Sequence, residues 1–421
     1  MSDWKEYKLG ELATFYNGRA YKNGEFKTSG TPIVRIQNLT GEGKTVYSDL
    51  QLDENKYIEN GDLIYAWSAT FGPYIWRGEK SIYHYHIWKI VCNEKIIDKF
   101  YFYYKLKLIS DSLKDNGNGS IFVHITKSFM ENFKIKIPSL EKQKYISNIL
   151  SNLDKKIRFN TQINQTLEQI AQALFKSWFV DFDPVRAKVQ ALSDGLSLEQ
   201  AELAAMQAIS GKTPEELTAL SQTQPERYAE LAETAKAFPY EMVEVDGVEV
   251  PKGWEVKPIE LILDRLKNKQ KLRKEEISFE GTIPVFEQGA SILMGYHDKD
   301  AAFNASIDEP IFIFGDHTCI TKLSTIPFSI YQNVIPLIGK NLPTYWVYCA
   351  IQNKQTFQEY RRHWAELIVK EVIVPDNINL CQYFSKKVKG LFFKIDINHQ
   401  ENKTLIDTRD ILLPKLLNGD I

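Results

Sequence analysis

Ten consecutive residues, Arg265-Leu266-Lys267-Asn268-Lys269-Gln270-Lys271-Leu272-Arg273-Lys274, carry six cations and no acid. Cations interleaved with amides offer charge to phosphates and hydrogen bonds to base edges, so the chemistry they suggest is nucleic-acid binding. The first half of the chain has a sparser counterpart: Arg19, Lys22 and Lys27 stand among Tyr16, Asn17, Tyr21 and Asn23. A solvated loop accounts for either stretch alone, and recurrence at matching places in two halves favours binding. Further polar residues could read bases: Arg35, Gln37 and Asn38, then Ser68 and Thr70 beside Trp67, then Asn118, Ser120 and His124. In the second half the candidates are Gln288, His317, Thr318, Lys322, Arg361 and Arg362. Glutamine and asparagine can grip adenine through two hydrogen bonds and arginine can grip guanine, although strand-end polarity explains any one of these residues more simply.

Motifs for catalysis fail one by one. Gly41-Glu42-Gly43-Lys44-Thr45 resembles a phosphate loop, but the pattern requires glycine where Asn38 stands, so it is a turn. No Pro-Pro dipeptide occurs, which excludes the Asn/Asp-Pro-Pro-Tyr/Phe tetrapeptide of amino-methyltransferases, and no GxGxxG follows a strand. Pro375-Asp376 followed by Glu401-Asn402-Lys403 has the letters of a metal-dependent nuclease. That chemistry needs its carboxylates clustered, whereas here the glutamate and lysine fall within a long helical pattern. His84 and His86 could share one strand face, but no third ligand is near in sequence, so a structural pair is expected and no metal site. Cys92, Cys319, Cys349 and Cys381 are isolated, as reduced buried thiols would be.

The elements that position these residues follow from a long-period repeat. Trp4 to Leu12 echoes Trp254 to Leu261, Thr31 to Val34 echoes Thr282 to Val285, and Lys134 to Pro138 echoes Glu371 to Pro375. After each proline comes an apolar seam. Ile146, Leu150, Leu153, Ile157, Asn160, Asn164, Leu167, Ala171, Leu174 and Trp178 alternate in steps of four and three. Adding 238 gives Phe384, Val388, Leu391, Ile395, Asn398, Asn402, Leu405, Arg409, Leu412 and Leu416, with asparagines at the same two stations. Buried asparagine costs stability and fixes register. Each helix spans about 33 residues, or about 50 Å. An intramolecular repeat packs most simply about a pseudo-two-fold, so the helices are expected antiparallel, with Asn160 and Asn164 facing Asn398 and Asn402.

Ahead of each helix, period-2 segments predict strands at Thr31–Gln37, Gly61–Trp67, Ile82–Val91 and Phe133–Ile137. Their counterparts are Ile283–Phe286, Pro310–Phe314, Ser329–Ile338 and Ile368–Val374, with helices at Phe100–Asp115 and Tyr345–Tyr360. The fold class is therefore α+β: two similar domains with mixed or antiparallel sheets, joined by two long antiparallel coiled-coil helices. The expected boundaries are 1–140, 141–180 (central helix), 181–250 (acidic insert), 251–376 and 377–421 (distal helix and tail). The net charge of −2 over 421 residues argues against a nucleic-acid partner only until it is divided. Residues 185–250 hold 5 basic and 12 acidic side chains, a net of −7, so the remainder carries +5. That insert reads as short solvated helices without chemistry. No run of about 18 apolar residues occurs and the start is charged, so no membrane span is expected and the location expected is cytoplasmic.

This arrangement resembles the specificity subunit of type I restriction-modification systems. The resemblance rests on Trp4 to Glu11, Gly61-Asp62-Leu63-Ile64, Ile137-Pro138-Ser139-Leu140-Glu141-Lys142-Gln143, Phe175 to Pro184 and Leu413 to Ile421, and on the alternation of domain and helix over nearly the whole chain. It departs in the second half, where Pro310 replaces Asp62 and no Pro-Leu-Glu-x-Gln helix entry follows Pro375. The resemblance implies a non-catalytic chain that binds double-stranded DNA at a two-part sequence, one part per target-recognition domain. It also implies two methyltransferase (modification) subunits docked on the helices, bringing S-adenosylmethionine. Restriction/translocase subunits would bring ATP and Mg, and this chain would hold no cofactor of its own. The competing class is a coiled-coil scaffold with two ligand- or protein-binding domains and no DNA.

Overall fold

A computed structural model describes every residue except 1–3, 42, 69, 116–124, 246 and 290. The chain divides into two compact units, Met1–Phe159 with Asn402–Ile421, and Asn160–Glu401. Each unit holds one α+β domain and one stretch of each long helix.

In the first unit, Lys5–Lys8 pairs antiparallel with Lys134–Ile137, Lys5 opposite Ile137, so the domain's last strand lies beside its first and leads into the central helix. A four-stranded sheet follows the order Ala13–Asn17, Ile87–Cys92, Leu63–Ala66, Gly72–Ile75. A second runs Val46–Ser48, Thr31–Val34, Ser81–Tyr83, Tyr57–Ile58, and its two middle strands are parallel. The second unit repeats this plan. Glu255–Pro258 pairs with Glu371–Val374; the larger sheet is Leu263–Arg265, Val334–Gly339, Ile311–Gly315, Thr321–Ser324; the smaller is Leu293–His297, Ile283–Phe286, Ser329–Ile330, with the last pair parallel. The sequence repeat is thus a repeat of topology.

Five expected elements are shorter or broken. Thr31–Gln37 is strand only to Val34, because Arg35 N donates to Asn38 Oδ1 and the chain turns into a short helix, Ile36–Leu39. Ile82–Val91 splits into Ser81–Tyr83 and Ile87–Cys92, because the His84 and Tyr85 amides donate to Val34 O and Arg19 O and the chain turns through Ile87 N to His84 O. Ser329–Ile338 splits about Asn333, which takes a left-handed φ of 59°. The helix expected to reach Tyr360 is Thr344–Ile351 and ends before Asn353, also left-handed at φ 59°. Ile368–Val374 begins as the end of helix Trp364–Ile368 and becomes strand only at Glu371.

The long helices are Leu140–Phe179 and Ile378–Asn418. In the first unit Asp154 meets Arg409 at 2.8 Å and Asn402 Nδ2 donates to Ile157 O at 3.4 Å. In the second, Asn160 Nδ2 donates to Glu401 Oε2 and Asn398 Nδ2 to Asn164 Oδ1, both at 2.8 Å. Partner numbers rise along one helix as they fall along the other, so the pairing is antiparallel. Asn164 and Asn398 thus bond directly across the seam, and Asn164 Nδ2 also donates to Ile395 O at 3.3 Å.

The insert is more than a solvated linker. Its helices Asp183–Ser193, Leu198–Ser210, Pro214–Thr223 and Pro225–Ala237 bury Val185, Ala205, Leu217 and Ala235 completely. These side chains join one core with Trp178, Trp254, Trp346 and Phe384. Asn398→Ala should leave the Asn164 carbonyl buried without a donor and lower stability by about 1–3 kcal/mol in urea unfolding. Replacing both asparagines with leucine should recover most of that loss. A neutral single substitution would contradict the seam assignment.

Candidate nucleic-acid interface

The first domain gathers three segments around His84–His86. Gly18 N donates to Ile87 O, Arg19 N to Tyr83 O, His84 N to Val34 O and Trp67 N to His86 O, all between 2.9 and 3.1 Å. The approach is close enough to require glycine: a Cβ on Gly18 would stand 2.2 Å from His84 O. The result is an aromatic cluster, with His84 and Tyr85 ring centroids 4.4 Å apart, Tyr85 and His86 3.9 Å, and Trp67 and His86 5.1 Å. Tyr85 is 40% exposed. Burial, with His86 and Arg35 beside it, lowers the His84 imidazole from 6.5 to about 4. The two histidines therefore lie in a turn and not on one strand face.

The second domain assembles the same kind of site. Tyr331 N donates to Phe286 O, Asp316 N to Asn333 O and His363 N to Asp316 O, at 2.7 to 3.0 Å. Gln288 Oε1 accepts from His317 N at 3.0 Å, and the Tyr360 ring stands edge-on to His317 at 4.7 Å. Beside each cluster runs the cationic loop, and both loops close alike. Lys22 N donates to the Glu25 carboxylate and Arg273 N to the Glu276 carboxylate, each at 2.8 Å. Two residues further on, Lys27 bridges to Tyr47 and Ser278 to Tyr296. Lys22 and Lys27 are exposed, as are Arg265, Lys267, Lys269, Lys271, Arg273 and Lys274. Among the described residues none of these eight is held in an ion pair.

A family model described as the type I restriction modification DNA specificity domain matches residues 1–169. The type I restriction enzyme HindI specificity subunit of Haemophilus influenzae is 38% identical, with both chains covered completely. This chain belongs to the type I restriction specificity-subunit family. The MjaIX specificity subunit of Methanocaldococcus jannaschii is 25% identical over 79% of this chain and 71% of its own. A crystal structure of the type I system S subunit from M. genitalium shares the fold, with a TM-score of 0.53 at 15% identity, covering 98% of this chain and 96% of that one.

In this member of the family several suspected contact residues are committed elsewhere. Arg19 grips Glu25 with both guanidinium nitrogens, at 2.7 and 3.0 Å, and so shapes its loop. Arg35 donates to Lys44 O and lies against the Gln37 amide, while Asn38 accepts from Arg35 N and donates to Gly43 O; together they close the turn at 35–44. Lys322 is only 15% exposed and bonds Asp396 of the distal helix at 3.3 Å. Arg361 is held by Glu359 and Glu366, whereas Arg362 is 80% exposed and 3.7 Å from Asp316. Ser68 and Thr70 follow Trp67 and are half-buried, and Asn118, Ser120 and His124 lie outside the described residues.

Sequence reasoning missed Tyr85 and Tyr360 as site residues; the aromatic run His84-Tyr85-His86 was the available signal. The nuclease letters fall apart in space. Asp376 precedes the distal helix and Glu401 lies about 34 Å along it. Among the described residues no three His, Cys, Asp or Glu side chains gather to hold a metal ion, and no helix is long and apolar enough to cross a membrane.

Because His84 is harder to protonate when folded, the unfolded chain binds the extra proton between pH 6.5 and about 4. The stability this contributes is complete above pH 6.5 and is lost as pH falls. The melting temperature should therefore drop on acidification through that window, and His84→Gln should flatten part of the drop. An NMR titration showing a protonated His84 ring at pH 6 would contradict the burial.

Proposed function

We propose that the chain recognises a two-part DNA sequence, one part through each α+β domain, and carries methyltransferase subunits on its long helices. The observation that carries this reading is the pair of cationic loops. They leave the same topological station in both domains, carry exposed lysines that no ion pair holds among the described residues, and run beside a converged set of polar and aromatic loop residues. Loop cations left unpaired can neutralise phosphates, and the loop clusters offer base-edge groups.

The chemistry falls to partners in this reading. Methyltransferase subunits supply S-adenosylmethionine and methylate adenine, and restriction/translocase subunits supply ATP- and Mg-dependent cleavage, while this chain is non-catalytic. On the second unit's stretch of the central helix, Ile163 and Ile170 stand one heptad apart and are each 43% exposed, which suits a docked subunit.

Reversing Lys267, Lys269 and Lys271 to glutamate should weaken duplex binding by about tenfold or more at low salt. It should also flatten the dependence of log K on log salt by about 0.9 for each phosphate that is no longer neutralised. Titration of the full chain against a random-sequence duplex at two salt concentrations measures both. Unchanged affinity and slope would remove the loop from the interface, and no binding by the parent chain, alone or with its methyltransferase partner, would favour a scaffold without DNA.

A further inference from the structure

The two ring nitrogens of His317 and the hydroxyl of Thr318 are buried, and none has a hydrogen-bond partner within the protein. Desolvated polar atoms without partners destabilise a fold and are uncommon. Three such atoms on adjacent residues, in the loop cluster of a recognition domain, point to a ligand that completes them. The backbone agrees. Ile292, Cys319 and Asn333, one on each of three loops that meet here, all take left-handed φ values of 58° to 60°. A β-branched isoleucine there is strained, and such strain gathers at binding sites. Gly315 is needed for the packing, since a Cβ would stand 2.7 Å from Thr318 Oγ1 and 2.9 Å from Gln288 Cβ.

Tyr360 stands against His317. Its ring meets His317 at 86°, yet the residue is 74% exposed, so it rests on little besides the imidazole. Gln288 uses its carbonyl on His317 N, which leaves its amide N–H groups as donors. Together His317, Thr318 and Gln288 present a mixture of donors and acceptors. A phosphate offers only acceptors, whereas a base pair in the major groove offers both kinds.

We propose that His317 and Thr318 read a base edge in the second half of the target, and that Tyr360 shields them until DNA displaces it. The proposal rests on the DNA-recognition reading above and assigns specificity at one or two base pairs to named side chains.

The test selects from a duplex library with randomised positions, using the full chain with its methyltransferase subunit. Compared are the parent, His317→Ala, Thr318→Val and Tyr360→Ala. The parent should enrich two sequence blocks. His317→Ala and Thr318→Val should lose discrimination at one or two adjacent base pairs of one block by about tenfold or more, while the other block stays as in the parent. Tyr360→Ala should enrich the parent's sequence with equal or tighter affinity. Thr318→Val should melt at the parent's temperature or above, since it removes a hydroxyl without a partner.

Variants that enrich the parent's sequence with undiminished discrimination would overturn the assignment while leaving the proposed function intact. Loss of discrimination in Tyr360→Ala at the same base pairs would make Tyr360 a reader and overturn the shielding. A lower melting temperature for Thr318→Val would show the hydroxyl to be partnered and overturn the assignment of Thr318. Failure of the parent to enrich any sequence would instead overturn the proposed function.

Discussion

An amide buried in an apolar seam has few ways to be satisfied, and nearly all of them require a second polar group at one height on the facing helix. Asn164 and Asn398 provide that for each other, and Asn398 is completely buried. Sliding one helix by a heptad would set these groups against leucine, isoleucine or alanine, so alternative registers carry unpaired amides in a dry environment. Everything attached to the helices inherits that choice. Within the second unit the register sets where Glu168 and Asp396 stand; within the first, the Asp154–Arg409 pair belongs to the same antiparallel alignment.

Each domain is held to its helices by a polar contact of one kind. Tyr104 donates its hydroxyl to Asp154 at 2.6 Å in the first unit, and Tyr348 donates to Glu168 at 2.8 Å in the second. Burial pushes the Glu168 carboxyl up, and the tyrosine bond opposes that shift. The surroundings differ. Gln143 is nearly fully buried and ties the start of the central helix to Ile96 O and Pro138 O, at 3.0 and 2.9 Å. The matching station on the distal helix is Cys381, buried in an apolar core. The second domain is tied further along its helix, through Asp396, which accepts from Thr325 N and Oγ1 and pairs with Lys322. Aromatic packing does the rest, with Phe175, Trp178 and Phe179 all within 6.0 Å of Phe384, centroid to centroid.

Much of this was legible in the sequence, because periodicity and repetition are properties of the chain itself. The two seams, their asparagines and the doubled α+β plan follow from spacing, and the antiparallel sense from the pseudo-two-fold symmetry of a repeat. The breaks in Ile82–Val91 and Ser329–Ile338 were not legible, since they depend on hydrogen bonds from loops distant in sequence, such as Tyr85 N to Arg19 O. Site residues were legible by type and not by commitment. Arg19 and Lys322 look like free cations until Glu25 and Asp396 arrive beside them, whereas the stretch from Arg265 to Lys274 holds no acid and keeps its cations exposed. The acidic insert misled in a different way: its composition suggests solvated helices, yet alanines and a few large apolar residues suffice to bury one face of each.

In the proposed function one chain reads two short sequence blocks, one per domain, and partners methylate what it reads. The most direct measurement is the methylome of the source cells with and without the gene for this chain. The account predicts that a two-block adenine-methylated motif, interrupted by unspecified bases, is present in the parent and vanishes on deletion. An unchanged set of methylated motifs, or loss of a single uninterrupted block, would contradict it.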